Sequence, residues 1–299
     1  YSRTTKYIMN IEICPYRYED IQSCKDITFD KVLKDYHNLC EFKADTNPRK
    51  FCGNNTLYYY QFRNLLNCKR EKGKSLKEVF DDPELVQQLW KDTIKRNRRD
   101  KDPICSATDV YECHRINKGA IVFFKSSTAK YIYKLFNSKS VLDFTAGWGG
   151  RMLGASSLGI NYIGIDTNIN LKIGYENMIK DLQLKNCKMI WDSCLNVDYS
   201  KLDYDLVLTS PPYINMELYE HCSLFDKNTF YTDFLIPTMD KAFLYLKEGG
   251  HMCINISPAM FKSLMKLGYR QPNKEIDLRQ QLGQQYKTKS QDLIYVWSK

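Results

Sequence analysis

Ser210-Pro211-Pro212-Tyr213, directly behind the apolar run Leu206-Val207-Leu208, joins residue types that could do chemistry on a planar amine. Each proline fixes φ near about −65° and removes a backbone donor, so two in succession end a strand and hold the backbone extended. Carbonyl oxygens at such a step point outward instead of into a ladder. A hydroxyl (Ser210) stands before the stiff step and an aromatic ring (Tyr213) after it. The set suits a base with an exocyclic amine: the oxygens accept the amino hydrogens and the ring stacks on the base face.

A second constellation lies upstream. Val141-Leu142-Asp143-Phe144 reads as a short buried strand, followed by Thr145-Ala146-Gly147-Trp148-Gly149-Gly150 and a helical pattern from Arg151 to Leu158. Glycines there permit a sharp turn and close approach of the backbone to a ligand. A dinucleotide fingerprint would read G-x-G-x-x-G. This run reads G-x-G-G, with Asp143 four positions before the first glycine. An acid at that strand end suits an ammonium-bearing ligand, directly or through water, and disfavours a pyrophosphate. Tyr162-Ile163-Gly164-Ile165 ends in Asp166, 23 residues beyond Asp143, and Lys188-Met189-Ile190-Trp191 ends in Asp192. A carboxylate roughly 20 residues past a glycine turn is the usual clamp on ribose hydroxyls. Three strand-end acids and a glycine loop imply an adenosine ligand carrying an amino acid.

The elements that must position these groups follow from the pattern. From about residue 120 onward strands alternate with helices, which implies an α/β fold with a mostly parallel sheet covered on both faces. Ligands in such sheets bind beyond the carboxyl ends of the strands, so the glycine loop, Asp166, Asp192 and Ser210 to Tyr213 fall along one edge. Residues 1–115 read as a separate, mainly helical region. Asp82-Pro83-Glu84 starts a helix, and Leu85, Val86, Leu89, Trp90 and Ile94 follow helical spacing. Ser75 and Glu78 form a capping-box pair for a short helix before it.

These motifs, in this order, resemble the S-adenosylmethionine-dependent amino methyltransferases that act on DNA, over roughly residues 115–299. Asp143 through Gly150 is similar to their cofactor loop, Ile165-Asp166 to their ribose-binding acid, and Ser210-Pro211-Pro212-Tyr213 to their catalytic tetrapeptide. Phe123-Phe124-Lys125-Ser126-Ser127-Thr128-Ala129 resembles the motif that closes over the methionine end of the cofactor. Ala146 through Arg151 and the stretch 209–219 resemble the enzymes of phages and large DNA viruses in particular. The resemblance implies a Rossmann-like class I methyltransferase fold of seven mostly parallel strands over residues 116–299. It implies S-adenosylmethionine held by Phe123, Lys125, Ser127, Thr128, Asp143, Thr145, Ala146, Gly147, Trp148, Gly149, Gly150, Arg151, Asp166 and Asp192. Double-stranded DNA is the expected partner, with a cognate restriction endonuclease as a second candidate and a virus as a candidate source.

The expected reaction is methylation of an amine on a flipped base, because the amino nitrogen has no access to the cofactor inside the duplex. Ser210 and the Pro211 carbonyl would accept the amino hydrogens and localise a lone pair otherwise delocalised into the ring. In the resembled family, serine at the first catalytic position accompanies N4-cytosine methylation, and Asp or Asn accompanies N6-adenine methylation. Ser210 leans to cytosine, yet viral and phage relatives with the same tetrapeptide keep adenine open. An RNA amino methyltransferase, or a non-catalytic nucleic-acid-binding protein on the same fold, is the alternative. Residues 1–115 hold no recognisable RNA-binding module, and the acids, glycines, Ser210 and Tyr213 are all in place. Glu217, Tyr219 and His221 are candidates to touch the base or the adjacent strand.

Composition bounds the rest. The chain has 299 residues, of which 43% are hydrophobic, enough for one α/β core plus a smaller module. It has no apolar run of about 18 residues, so no membrane span is expected. Tyr1 to Lys6 lack an apolar signal region, and the absence of an opening methionine points to a trimmed or processed start. Eleven cysteines without a Cys-x-x-Cys pair read as reduced thiols of a cytoplasm or nucleus. Cys105 with Cys113 and His114 matches no zinc spacing, and no metal is expected. Net charge is +9, and twelve Lys/Arg against seven Asp/Glu fall between Arg63 and Lys101, a balance that supports binding to a polyanion. Tyr58-Tyr59-Tyr60, just before this stretch, reads as core or hinge ahead of a stacking platform. The sequence assigns no oligomeric state.

Overall fold

The computed structural model describes residues 13–44, 50–69, 73–99, 105–117, 121–212, 229–278 and 293–299, without the side chains of 98 and 99. Two compact units emerge, and neither is continuous in sequence. The smaller takes residues up to 26 and 62–121; the larger takes 27–61 and 122–299. The expected division near residue 115 is therefore too simple, because residues 27–61 fold with the sheet.

In chain order the helices before the sheet are α1 (Tyr18–Gln22), α2 (Phe29–Glu41), α3 (Asn54–Leu66), α4 (Leu76–Phe80), α5 (Pro83–Arg99), α6 (Ala107–Asn117) and α7 (Ser126–Leu135). Local chemistry sets their starts. Asp82 accepts from the backbone N–H of Glu84 and Leu85, so α5 opens on a capped proline turn. Ser75 and Glu78 form the reciprocal capping box of α4. The smaller unit packs Phe62 edge-on to Tyr111 and Tyr16 edge-on to Trp90, and an ion triad joins Lys25, Glu112 and Arg115. Its basic stretch is partly neutralised: Lys69 pairs with Glu78, Lys74 with Asp82 and Lys77 with Asp81.

The larger unit is built on a seven-stranded sheet of β1 (Ser140–Asp143), β2 (Asn161–Asp166), β3 (Cys187–Trp191), β4 (Leu206–Thr209), β5 (His251–Ile256), β6 (Lys274–Asp277) and β7 (Leu293–Ser298). Their spatial order is β3-β2-β1-β4-β5-β7-β6, with β7 alone reversed between β5 and β6. Strands β1 and β4 are buried throughout, as runs covered on both faces must be. Helices α8 (Gly150–Ser156), α9 (Lys172–Asp181), α10 (Ile236–Leu244) and α11 (Pro258–Lys266) complete the unit. A π-helical stretch, Phe230–Leu235, leads into α10, where Pro237 has no N–H to give to the preceding turn.

Residues 27–61 join this unit through specific bonds. Lys130, buried on α7, donates to the carbonyls of Leu39 and Cys40 at 2.7 Å each and so caps the end of α2. Gln61 donates to the Leu171 carbonyl, and Tyr60 to Asp181. The tyrosine run thus lies partly in the larger unit's packing: Tyr58 meets Phe123 at 4.9 Å between ring centroids.

Candidate active site at the carboxyl edge of the sheet

The turn after β1 is possible only with glycine at particular points. Gly147 and Gly149 have φ of 60° and 95°, in the left-handed region that side chains disfavour. Gly150, the first residue of α8, is required for a different reason: a Cβ there would collide with the Phe124 carbonyl oxygen. The loop is pinned at several atoms. The Ala146 N–H donates to the Ile165 carbonyl, and the Tyr175 hydroxyl reaches the carbonyls of Ala146 and Gly147 at 3.2 and 2.9 Å. Leu57 of α3 closes the loop from beneath, at van der Waals distance from where a Cβ on Gly149 or Gly150 would stand.

Under this loop lies a buried charge pair. Asp143 Oδ2 accepts from Arg151 Nε at 2.6 Å and from the Tyr162 hydroxyl at 2.7 Å. Arg151 also donates to the Thr145 carbonyl, and its guanidinium lies 4.9 Å from the Phe124 ring centroid. Burial would lower the Arg151 pKa; the carboxylate of Asp143 more than offsets this and holds it above its ordinary value. Arg151, expected on the cofactor, gives one donor to the loop and one to its acid. Asp143 Oδ1 is buried and has no partner among the described residues. A buried carboxylate oxygen in that state is costly, and one more donor would satisfy it.

Asp166, at the end of β2, is part-exposed. Its two oxygens accept from the N–H of Gly147 at 2.7 Å and of Asn168 at 2.8 Å. Burial pushes its carboxyl up to about 6, helped by the Asp143 charge and opposed by the two N–H bonds and Arg151. Each oxygen keeps a second lone pair. Asp192, after β3, is exposed and accepts from the Ser193 N–H and the Asn196 amide.

Strand β4 carries the other half of the edge. Thr209, its last residue, shares a 2.6 Å hydroxyl–hydroxyl bond with Thr145, which ties β4 to the glycine loop. Ser210 follows, part-exposed, and donates to Asn255 Oδ1 at 3.3 Å. Pro211 is buried and Pro212 half-buried. Tyr213, with Glu217, Tyr219 and His221, lies outside the described residues.

The Phe123–Thr128 segment reaches the same loop. Phe123 is buried between Tyr58 and Trp148, 5.7 Å from the latter's ring. Lys125 precedes α7 and holds its ammonium 4.0 Å from the Phe51 ring centroid. Ser127 donates to the Lys50 carbonyl, and Thr128 is buried in the first turn of α7. The structure therefore gathers Thr145, Ala146, Gly147, Trp148, Gly149 and Gly150 with Asp166, Thr209 and Phe123 at one place. Tyr162, Tyr175, Leu57 and Asn255 belong to the same assembly and were not expected; buried tyrosines two residues before Gly164 and one after Gly174 were the available hints.

The described residues fit an adenosyl amino acid. Gly147 takes a left-handed turn that side chains disfavour, Asp143 Oδ1 lacks a donor among the described residues, and Asp166 offers spare lone pairs. No group of His, Cys, Asp and Glu among the described residues could hold a metal ion, and no described helix is long and apolar enough to cross a membrane.

No family model and no curated protein matches the chain. Among solved structures it is similar to TrmN from Thermus thermophilus at 14% identity and a TM-score of 0.42, over 58% of this chain and 48% of that one. It is similar to an rRNA methylase from Streptococcus thermophilus at 15% identity and a TM-score of 0.41, over 60% and 99%. An RNA methyltransferase from Salinibacter ruber in complex with S-adenosyl-L-homocysteine aligns at 16% identity and a TM-score of 0.38, over 59% and 92%. The chain thus spans about half the length of TrmN. Strand order and the single reversed strand define the larger unit as a Rossmann-like class I methyltransferase fold.

Proposed function

We propose that the chain methylates the exocyclic amine of a flipped base in double-stranded DNA, N4 of cytosine or N6 of adenine, with S-adenosylmethionine as donor. One observation carries the reading. The hydroxyl of Ser210 stands at the carboxyl end of β4, and the neighbouring Thr209 is bonded to Thr145 of the glycine loop at 2.6 Å. Cofactor loop and amine acceptor are thereby held on one rigid edge.

Asp166 would take the ribose hydroxyls, the turn at Gly147 would bring the backbone close to the ligand, and Asp143 Oδ1 would receive an ammonium hydrogen directly or through water. Phe123 and Trp148 would wall the methionine end. When bound, the cofactor supplies an electrophilic methyl group. The chain's own work is orientation: Ser210 Oγ and the Pro211 carbonyl accept the two amino hydrogens, which draws the nitrogen towards tetrahedral geometry. Tyr213 stacks on the base. The amine proton leaves to solvent after transfer, so no strong base is needed. Positioning and fixed dipoles supply most of the rate.

Incubation with methyl-labelled S-adenosylmethionine and either duplex DNA or total RNA tests the substrate. Label in DNA, lost on Tyr213→Ala with cofactor affinity retained, is the expected result. Label in RNA alone would move the enzyme to the RNA class, and no label with no cofactor binding would end the enzyme reading.

A further inference from the structure

Asn255 of β5 sits beside Ser210 and is buried, although nothing in its strand calls for an amide: its neighbours Ile254 and Ile256 are apolar. Its orientation is decided by its second partner. Nδ2 donates to the Leu293 carbonyl at 2.9 Å, and a carbonyl only accepts. The amide nitrogen therefore faces β7 and Oδ1 faces β4, where Ser210 Oγ stands at 3.3 Å. That oxygen also only accepts, so the serine must give it its single hydrogen. What Ser210 has left is two lone pairs on a part-exposed oxygen at the open edge of the sheet.

We propose that Asn255 is a positioning residue that fixes Ser210 as an acceptor and so makes the site select an amino group over a carbonyl. The inference rests on the reading of Ser210 as the group that meets the substrate amine. A free serine hydroxyl would rotate to donate to a carbonyl as readily as it accepts from an amine. With its hydrogen committed along the line Ser210 to Asn255 to Leu293, a carbonyl oxygen would meet lone pairs only. Cytosine and adenine present a donor there; uracil and hypoxanthine present an acceptor.

The test compares oligodeoxycytidylate with oligodeoxyuridylate, and oligodeoxyadenylate with oligodeoxyinosinate, at equal length. Binding to the full chain saturated with S-adenosylhomocysteine is read by anisotropy. At least one pair should favour its amino member by about tenfold or more, the scale of one mismatched hydrogen bond. Asn255→Leu should bring that ratio to within about twofold while leaving S-adenosylhomocysteine affinity unchanged. Asn255→Asp, its buried carboxyl protonated and donating to the Leu293 carbonyl, keeps an oxygen towards Ser210; it should retain the preference and decides the matter if the leucine variant does not fold. In a Ser210→Ala background, already without preference, either change should alter the ratio no further.

A wild-type protein without preference overturns the proposal. So does a preference that survives Asn255→Leu, one that is lost in Asn255→Asp, or a ratio that Asn255 still shifts when Ser210 is alanine. Methyl transfer to the same oligonucleotides reports separately on the proposed function. A chain that prefers amino bases without methylating them keeps this inference and loses the other.

Discussion

Arg151→Met removes one member of a buried ion pair while keeping a side chain of similar length. In the native chain Arg151 and Asp143 are 5% and 0% exposed at their side chains and 2.6 Å apart. The substitution leaves Asp143 with the Tyr162 hydroxyl on one oxygen and no donor among the described residues on the other. Breaking such a pair from one side costs about 3–5 kcal/mol, chiefly for the charge left unpaired. That is roughly two to four orders of magnitude in the unfolding constant. The loop also loses the bond from Arg151 to the Thr145 carbonyl, so S-adenosylhomocysteine affinity should fall in the fraction that remains folded. Adding Asp143→Asn removes the stranded charge and should recover at least about 1 kcal/mol. Urea unfolding of the single and double variants, with calorimetry for the ligand, reads both effects. A single variant within about 1 kcal/mol of the native chain, or a double variant less stable than the single, would refute the assignment of Arg151 as the counter-charge of Asp143.

Because the Asp166 carboxyl is pushed up to about 6 and would accept ribose hydroxyls as an anion, ligand binding should weaken as pH falls below that value. The apparent Kd for S-adenosylhomocysteine should rise about tenfold per pH unit there, and Asp166→Asn should flatten the profile; a flat native profile from pH about 5 to 7 rules this out. Gly150→Ala places a Cβ against the Phe124 carbonyl and should cost about 1–3 kcal/mol or more, together with ligand affinity. Unchanged thermal unfolding and calorimetry would contradict that. Leu57→Ala opens a cavity beneath the glycine loop and should cost about 2–5 kcal/mol in the larger unit, though it lies well before residue 116. Loss of stability confined to the smaller unit would remove α3 from the catalytic framework.

Strands β1 to β4, their order of appearance and the loop after β1 were legible because each announces itself locally. Apolar runs end in an acid or a double proline, and glycines mark the turn. The capped starts of α4 and α5 were readable for the same reason. What escaped reading depends on pairing between distant parts of the chain. Nothing in Leu57 or Gln61 signals that α3 joins the sheet; that follows from glycines at 149, 150 and 174 whose missing side chains make room. The pairing of Arg151 with Asp143, eight residues back on the adjoining strand, was not legible from its place in the motif. Basic residues near Lys69 and Lys77 supported binding to a polyanion by their number, yet Glu78 pairs with Lys69 and Asp81, one helical turn on, pairs with Lys77. Asn255 was invisible because its meaning comes from Leu293, reached only through the reversed strand β7.

The central claim is that Ser210 and the glycine loop together deliver a methyl group to a base amine. Nucleoside mass spectrometry of DNA from cells that express the chain, or a Pro212→Ala control, tests it most directly. N4-methylcytosine or N6-methyladenine should appear with the native chain and disappear with the control. Methylation on a ring atom instead, or the same modified base from both proteins, would contradict it.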